Sequence, residues 1–135
     1  MNKILIDHCL SPRIAYALDG YYNVKSRKFE CVALRDKFAE NTPDIVWLNS
    51  ISHSSDNWAF ITNDKLRNDA EKTAVLSSGL VGFVFSNQLA KMKLHTQLTE
   101  IFRRIIQIEN EIRSHNGLVG RLFEINHTRV GLREI

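Results

Sequence analysis

Residues 58–71 of this chain read WAFITNDKLRNDAE, an apolar run followed by a polar, helix-favouring segment. The run predicts a buried strand that ends near Asp64, where the chain turns into a helix. Helical spacing would place Asp64, Arg67 and Glu71 on one side of that helix. Two carboxylates and a guanidinium at the carboxyl end of a strand are typical of a functional site.

The same residues also have a purely structural interpretation. Asp64 could cap the helix, and Arg67 and Glu71 could form an ordinary i,i+4 pair on its surface. The rest of the sequence has to decide between the two.

Size and composition indicate one compact soluble domain over residues 1–135. The chain is 44% hydrophobic and 24% charged, and its net charge of +3 permits a polyanionic partner without requiring one. No apolar run approaches the ~20 residues that cross a bilayer. The amino terminus lacks the apolar segment of a signal peptide, so we expect a cytoplasmic protein with no membrane partner. Cys9 and Cys31 are widely spaced, which favours reduced thiols.

Strands and helices are predicted to alternate along the chain. The apolar run Lys3–Asp7 indicates a central parallel strand. Ser11 as N-cap and Pro12 as the first helical residue predict a helix that ends at Gly20. The polar segment 25–41 has no clear pattern, although 33–38 could form a helical turn. Further strands are predicted at 21–24, 58–62, 80–85 and 118–125, and further helices at 43–51, 65–77 and 88–113. This alternation predicts an α/β/α sandwich with a mostly parallel central sheet.

Two of the predicted helices carry specific expectations. The first would have Thr42 as its N-cap and would bury four apolar residues at helical spacing: Ile45, Val46, Leu48 and Ile51. The segment 88–113 is strongly amphipathic, and it would form one long helix or two with a break near Lys93.

Three aspartates are predicted to meet at one edge of the sheet. Asp7 ends the first strand, Asp64 follows the third, and Asp44 lies in the first turn of a helix that can face the same edge. Converging carboxylates would repel one another, and a bound Mg²⁺ or Mn²⁺ would resolve this. Each aspartate alone could instead cap a helix, stabilise a turn or complement a helix dipole.

A metal at this edge would point to phosphodiester hydrolysis. Such a cation activates water and neutralises the charge that develops on a phosphate. Arg67 could bind that phosphate through two hydrogen bonds. Lys65 is a second candidate for substrate binding, or a solvated surface lysine.

Two motifs resemble those of a known family. Ile4–Asp7 followed by Leu10–Arg13 resembles the opening of minimal PIN-like domains, and Phe60–Lys65 resembles their later strand end. The continuation through Arg67 and Glu71 is similar to VapC-type PIN-like ribonuclease toxins. The resemblance covers roughly residues 3–90.

This resemblance implies a metal-dependent endoribonuclease, commonly the toxin of a toxin–antitoxin pair. Its acidic cluster would hold Mg²⁺ or Mn²⁺, its substrate would be RNA, and its partner a cognate antitoxin. The implied catalytic residues are Asp7, Asp44, Asp64, Arg67 and Glu71.

A further acid that PIN nucleases carry on an intervening helix has no clear equivalent in this chain. Asp36 and Glu40 are the nearest candidates by order, and Glu40 is more readily explained as surface charge.

Two other functions remain open at this point. The chain could be a receiver-like regulatory module, although Asp7 is followed by His8 and Cys9 where receiver domains have a second acid. It could also be an interaction protein that kept the fold without the chemistry. The long helix could then serve a homodimer or an antitoxin.

A basic surface that could track RNA is also predicted from five residues: Lys25, Arg27, Lys28, Arg103 and Arg104.

Overall fold

A computed structural model describes residues 1–25, 29–63 and 69–135, with the side chains of 24, 25 and 69–71 left out of the description. The strands are β1 (Asn2–Ile6), β2 (Phe29–Ala33), β3 (Asn57–Thr62), β4 (Val81–Phe85), β5 (Arg121–Ile125) and β6 (Arg133–Glu134). The helices are α1 (Pro12–Lys25), α2 (Leu34–Lys37), α3 (Asp44–Ser52), α4 (Asp69–Ser78), α5 (Asn87–Ala90), α6 (Leu94–Arg103) and α7 (Ile105–Ser114). None of the described helices is long and apolar enough to cross a membrane.

The strands form one sheet in the order β2-β1-β3-β4-β5-β6. The first five are parallel, and β6 pairs antiparallel with β5. Helices α1, α6 and α7 contribute to a core cluster on one face, and α2, α3 and α4 contribute to a cluster on the other. The predicted α/β/α sandwich with a mostly parallel sheet is confirmed.

Strand β1 lies in the interior of the sheet, between β2 and β3. Ile4 and Ile6 point into the cluster that contains α1, while Leu5 points into the cluster that contains α3. All three are at most 1% exposed. A strand buried on both faces reads as a continuous apolar run, which is why the sequence identified it.

The predicted strand at 21–24 is wrong, because α1 continues through Gly20 to Lys25. Gly20 is tolerated there since a Cβ at this position would meet open space. Ile14, Leu18 and Tyr22 recur every four residues and are all buried, so one helical face continues past the glycine.

The second strand is instead β2, at Phe29–Ala33, in a polar segment where the sequence predicts no strand. Tyr22 explains why helix and strand lie where they do. Its ring packs against Phe29 with centroids 5.2 Å apart, and its hydroxyl donates a hydrogen bond of 2.9 Å to Glu109. The end of α1 is therefore fixed by long-range contacts that local sequence does not reveal.

Helix α3 begins at Asp44, one residue later than predicted, and the predicted N-cap at Thr42 is wrong. Its buried face also differs. Pro43 is the N-cap, and the Thr42 hydroxyl donates to the Ala39 carbonyl. Ile45 and Val46 were expected in the core and are 59% and 52% exposed.

Trp47 is buried in place of those two residues, together with Leu48 and Ile51. Its ring packs edge-on against Phe60 of β3, with centroids 5.7 Å apart. Burying this large ring turns the helix so that its two neighbours on the amino-terminal side face solvent.

The amphipathic segment after β4 is broken twice. The break at 91–93 agrees with the one predicted near Lys93, and a second separates α6 from α7 at Arg104. Arg104 is 2% exposed, and its guanidinium donates to the carbonyls of Asn126 and Arg129. The last predicted strand starts at Arg121 rather than 118, and a further short strand, β6, follows it at Arg133–Glu134.

Two glycines with positive φ offer a test of backbone strain against crowding. Gly79 (φ +74°) follows the end of α4 and begins the α4–β4 connection, and a Cβ there would collide with the Gly117 carbonyl oxygen. Gly117 (φ +77°) has open space around it. We expect Gly117→Ala to cost about 1–2 kcal/mol through strain alone. Gly79→Ala should cost about 1–3 kcal/mol more through overpacking. Urea denaturation of both variants measures the difference, and equal losses would contradict the crowding.

Candidate functional site

The candidate site lies at the carboxyl edge, which we define as the edge where the parallel strands end. The chain passes from β1 to β2 on one side and returns to β3 on the other. The carboxyl ends of β1 and β3 therefore form a topological switch point, where ligands bind in open α/β sheets. Asp7 follows β1 directly, and Thr62 is the last residue of β3.

The Asp7 carboxylate is held by donors from both strand ends. Oδ2 accepts a hydrogen bond of 2.8 Å from the Thr62 hydroxyl. Oδ1 accepts one of 2.7 Å from the backbone N–H of His8, whose ring Nδ1 lies 3.0 Å away. Short hydrogen bonds to a carboxylate fix its orientation, so Asp7 is presented in one defined position.

A second layer of contacts holds Thr62. The Cys9 sulfur lies 3.3 Å from the Thr62 hydroxyl oxygen and accepts from the backbone N–H of Asn63. Since Thr62 gives its proton to Asp7, the thiol is the donor in this contact. Burial of the thiol and then the nearby Asp7 carboxylate raise the pKa of Cys9 to about 11, so the sulfur keeps its proton at neutral pH.

The buried charge of Asp7 has no lysine or arginine ion-pair partner in the described parts of the chain. The residue is only 4% exposed, and His8 carries a charge only when protonated. Buried charges in proteins are paired or coordinate a metal. The carboxylate and the adjacent hydroxyl of Thr62 are hard oxygen ligands of the kind that Mg²⁺ and Mn²⁺ take. Asp7 and Thr62 therefore offer two oxygen ligands of the kind that a divalent cation takes.

Asp44 is the first residue of α3. Along the chain this helix is followed by β3, and the position of its first turn beside Asp7 stays a prediction. Its Oδ1 accepts a 3.0 Å hydrogen bond from the indole N–H of Trp47. One carboxylate oxygen of Asp44 is thus bound within its own helix.

Asp36, the candidate for an additional acid, lies in α2 three residues beyond the end of β2. It is exposed, and its Oδ2 accepts a 2.8 Å hydrogen bond from the Tyr16 hydroxyl. This hydrogen bond raises the pKa of Tyr16. Asp36 follows a strand adjacent to β1, which keeps it a candidate.

The other predicted site residues lie outside the described residues. Asp64, Lys65 and Arg67 fall between 64 and 68, and Glu71 lies in α4 with its side chain undescribed. Among the described residues, no three His, Cys, Asp or Glu side chains form a group that could hold a metal ion. The predicted cluster of Asp7, Asp44 and Asp64 therefore depends on Asp64.

Sequence reasoning missed Thr62 and Cys9, and it misplaced one basic residue. Thr62 directly precedes Asn63-Asp64, and its position as the last residue of an apolar strand was the available signal. Arg104 was expected on an RNA-binding surface and is instead buried. Of the other four residues in that prediction, Arg103 is exposed and pairs with Glu100, while the side chains of Lys25, Arg27 and Lys28 are outside the description.

Comparison with known families identifies the class of this α/β protein. The family model for the PIN-like domain matches residues 2–87. The chain therefore belongs to the PIN-like domain family. The comparisons with curated proteins and with solved structures gave no match.

The Thr62 hydrogen bond to Asp7 can be tested by an isosteric pair of variants. Thr62→Val removes the donor from a buried carboxylate and should cost about 1–3 kcal/mol of unfolding free energy. Thr62→Ser keeps the hydroxyl and loses one methyl group, which should cost about 0.8 kcal/mol. Urea denaturation at neutral pH compares them. Equal losses in the two variants would show that the hydroxyl does not stabilise the Asp7 carboxylate.

Proposed function

We propose that this protein is a metal-dependent endoribonuclease that acts as the toxin of a toxin–antitoxin pair. The proposal includes RNA as substrate, Mg²⁺ or Mn²⁺ as cofactor and a cognate antitoxin as protein partner. Membership of the PIN-like family supports the nuclease part, because PIN domains are generally nucleases that use divalent metals.

The observation that carries the proposal is the buried Asp7 carboxylate at the switch point between β1 and β3. It is oriented by Thr62 and His8, and no lysine or arginine in the described residues neutralises it. An oriented, uncompensated carboxylate is suited to holding a cation. In a purely structural role, a buried aspartate would be expected to have a basic partner.

The residues then take distinct roles. Asp7 and Asp64 would hold the metal, with Asp44 as a third acid from α3. When bound, the cation supplies an activated water and neutralises charge on the phosphate. Thr62 and the backbone N–H of His8 keep Asp7 in position.

Three further residues complete the proposed site. Arg67 would bind the phosphate, with Lys65 as a second substrate contact. Glu71 is assigned with Arg67 on the family resemblance.

Cleavage of a labelled single-stranded RNA by the purified protein with Mn²⁺ tests the proposal. We expect cleavage that EDTA abolishes. Asp7→Asn and Asp64→Asn should each reduce it by at least about 100-fold, because each removes a charged ligand worth several kcal/mol. Asp36→Asn, run in parallel, assigns or excludes the additional acid.

Asp56→Asn is the matched control for loss of one carboxylate. Asp56 lies at the opposite edge, where it pairs with Lys3 and the amino terminus, so cleavage should be unchanged. A folded, metal-replete protein that cleaves no RNA would overturn the proposal in favour of a regulatory or interaction module. Cleavage that survives both Asp7→Asn and Asp64→Asn would overturn the assigned site.

The toxin assignment needs a cellular measurement. Induced expression of the chain in a bacterial host should arrest growth, and Asp7→Asn at equal expression should not. Arrest that persists in the Asp7→Asn variant would separate toxicity from this site. Normal growth with active protein would leave a ribonuclease that is not a toxin.

A further inference from the structure

Three connections meet at the carboxyl edge beside Asp7. Residues 8–13 follow β1, residues 86–96 follow β4, and residues 126–132 follow β5. These strands are parallel members of one sheet, so their carboxyl ends lie along the same edge. At about 4.8 Å per strand, β1 and β5 are roughly 14 Å apart.

The composition of these connections is one-sided. None of the 15 acidic residues of the chain falls within the three ranges, whereas four basic residues do. We call these four the cationic edge: Arg13, Lys91, Lys93 and Arg129.

The side chains of the cationic edge are exposed and lack ion pairs. All four residues are exposed, and none pairs with a carboxylate among the side chains that the structure describes, which leave out 24–28 and 64–71. Several cations elsewhere on the surface are compensated, including Lys3, Arg113 and Arg121. The positive charge of the cationic edge is therefore available to a ligand.

Buried polar side chains hold two of these connections in place. Arg104 donates to the carbonyls of Asn126 and Arg129, which fixes the backbone that carries the Arg129 side chain. Gln97, 7% exposed, donates to the carbonyls of Leu89 and Ala90, directly before Lys91.

The connection after β1 is also held in place, because the side-chain amide of Asn63 donates a 3.2 Å hydrogen bond to the Cys9 carbonyl. The backbone of the three connections is therefore held in place, while the four charged side chains themselves are exposed.

We propose that the cationic edge binds the phosphate backbone of a single-stranded nucleic acid and leads it across the sheet edge to the Asp7 site. This inference rests on the proposed nuclease function, for which it supplies the substrate path. A polyanion would otherwise be repelled by the buried carboxylate. Asp7 and Asp64 of the proposed site are assigned to the same edge, but the charged residues of these three connections are all cations, and such a row matches a repeating backbone charge.

Fluorescence anisotropy with a labelled single-stranded RNA, in EDTA to prevent cleavage, tests this surface. Lys91→Gln/Lys93→Gln should raise Kd about tenfold. It should also reduce the slope of log Kd against log salt by about 1.4, since each lost phosphate contact on a single strand contributes about 0.7. Arg13→Gln and Arg129→Gln should each weaken binding in the same direction.

The control is Lys3→Gln/Arg113→Gln, which removes the same charge at the opposite edge. We expect wild-type affinity from it, with thermal melts confirming that all variants are folded. Equal weakening by both double variants would reduce the effect to net charge and overturn the inference. So would wild-type affinity of Lys91→Gln/Lys93→Gln, or a wild-type protein that binds polyglutamate but neither RNA nor single-stranded DNA.

The binding experiment and the cleavage experiment test the cationic edge and the nuclease function separately. RNA binding through the cationic edge without any cleavage in Mn²⁺ would retain the surface and reject the catalytic function. Cleavage and binding that are unchanged in the cationic-edge variants would retain the nuclease and reject the surface.

Discussion

Strand β1 has to bury both of its faces, and the rest of the molecule is arranged to satisfy that requirement. Ile4 and Ile6 need a helical layer on one side, and Leu5 needs one on the other. Its backbone groups need a parallel neighbour on each side, which β2 and β3 provide. The chain goes from β1 to β2 on one side and then to β3 on the other side, which creates the switch point. The constraint that builds the core therefore also places Asp7 where a ligand can reach it.

Sequence patterns predicted the elements whose signal is local. The apolar runs at β1, β3 and β4, the proline at the start of α1 and the break before α6 were all predicted within a few residues. Elements fixed by distant contacts were not. Tyr22 keeps α1 helical through its contacts with Phe29 and Glu109, and the ring of Trp47 decides which face of α3 is buried.

The residues of the candidate site also differ in whether local sequence or distant contacts determine their positions. An aspartate at the end of an apolar run is visible in sequence, and Asp7 lies where that pattern places it. The support around it, from Thr62 and Cys9, arises only when residues 53 or more positions apart are brought together by the β1–β3 pairing. Arg104 shows the opposite case. A charged residue within an amphipathic segment looks like surface, and its burial is made tolerable by the Glu100 carboxylate and by the carbonyls of residues 126 and 129.

The burial of Arg104 shows that the packed fold extends further along the chain than the part that the family model matches. The recognisable family pattern stops at residue 87, yet β4 gains its outer neighbour from β5 and the guanidinium gains its acceptors from the last ten residues. A chain shortened to its recognisable part would lose the strand beside β4 and the apolar faces of α6 and α7 from its core. The family model therefore matches only the first two thirds of the chain, whereas the contacts that hold the fold together continue into the last ten residues.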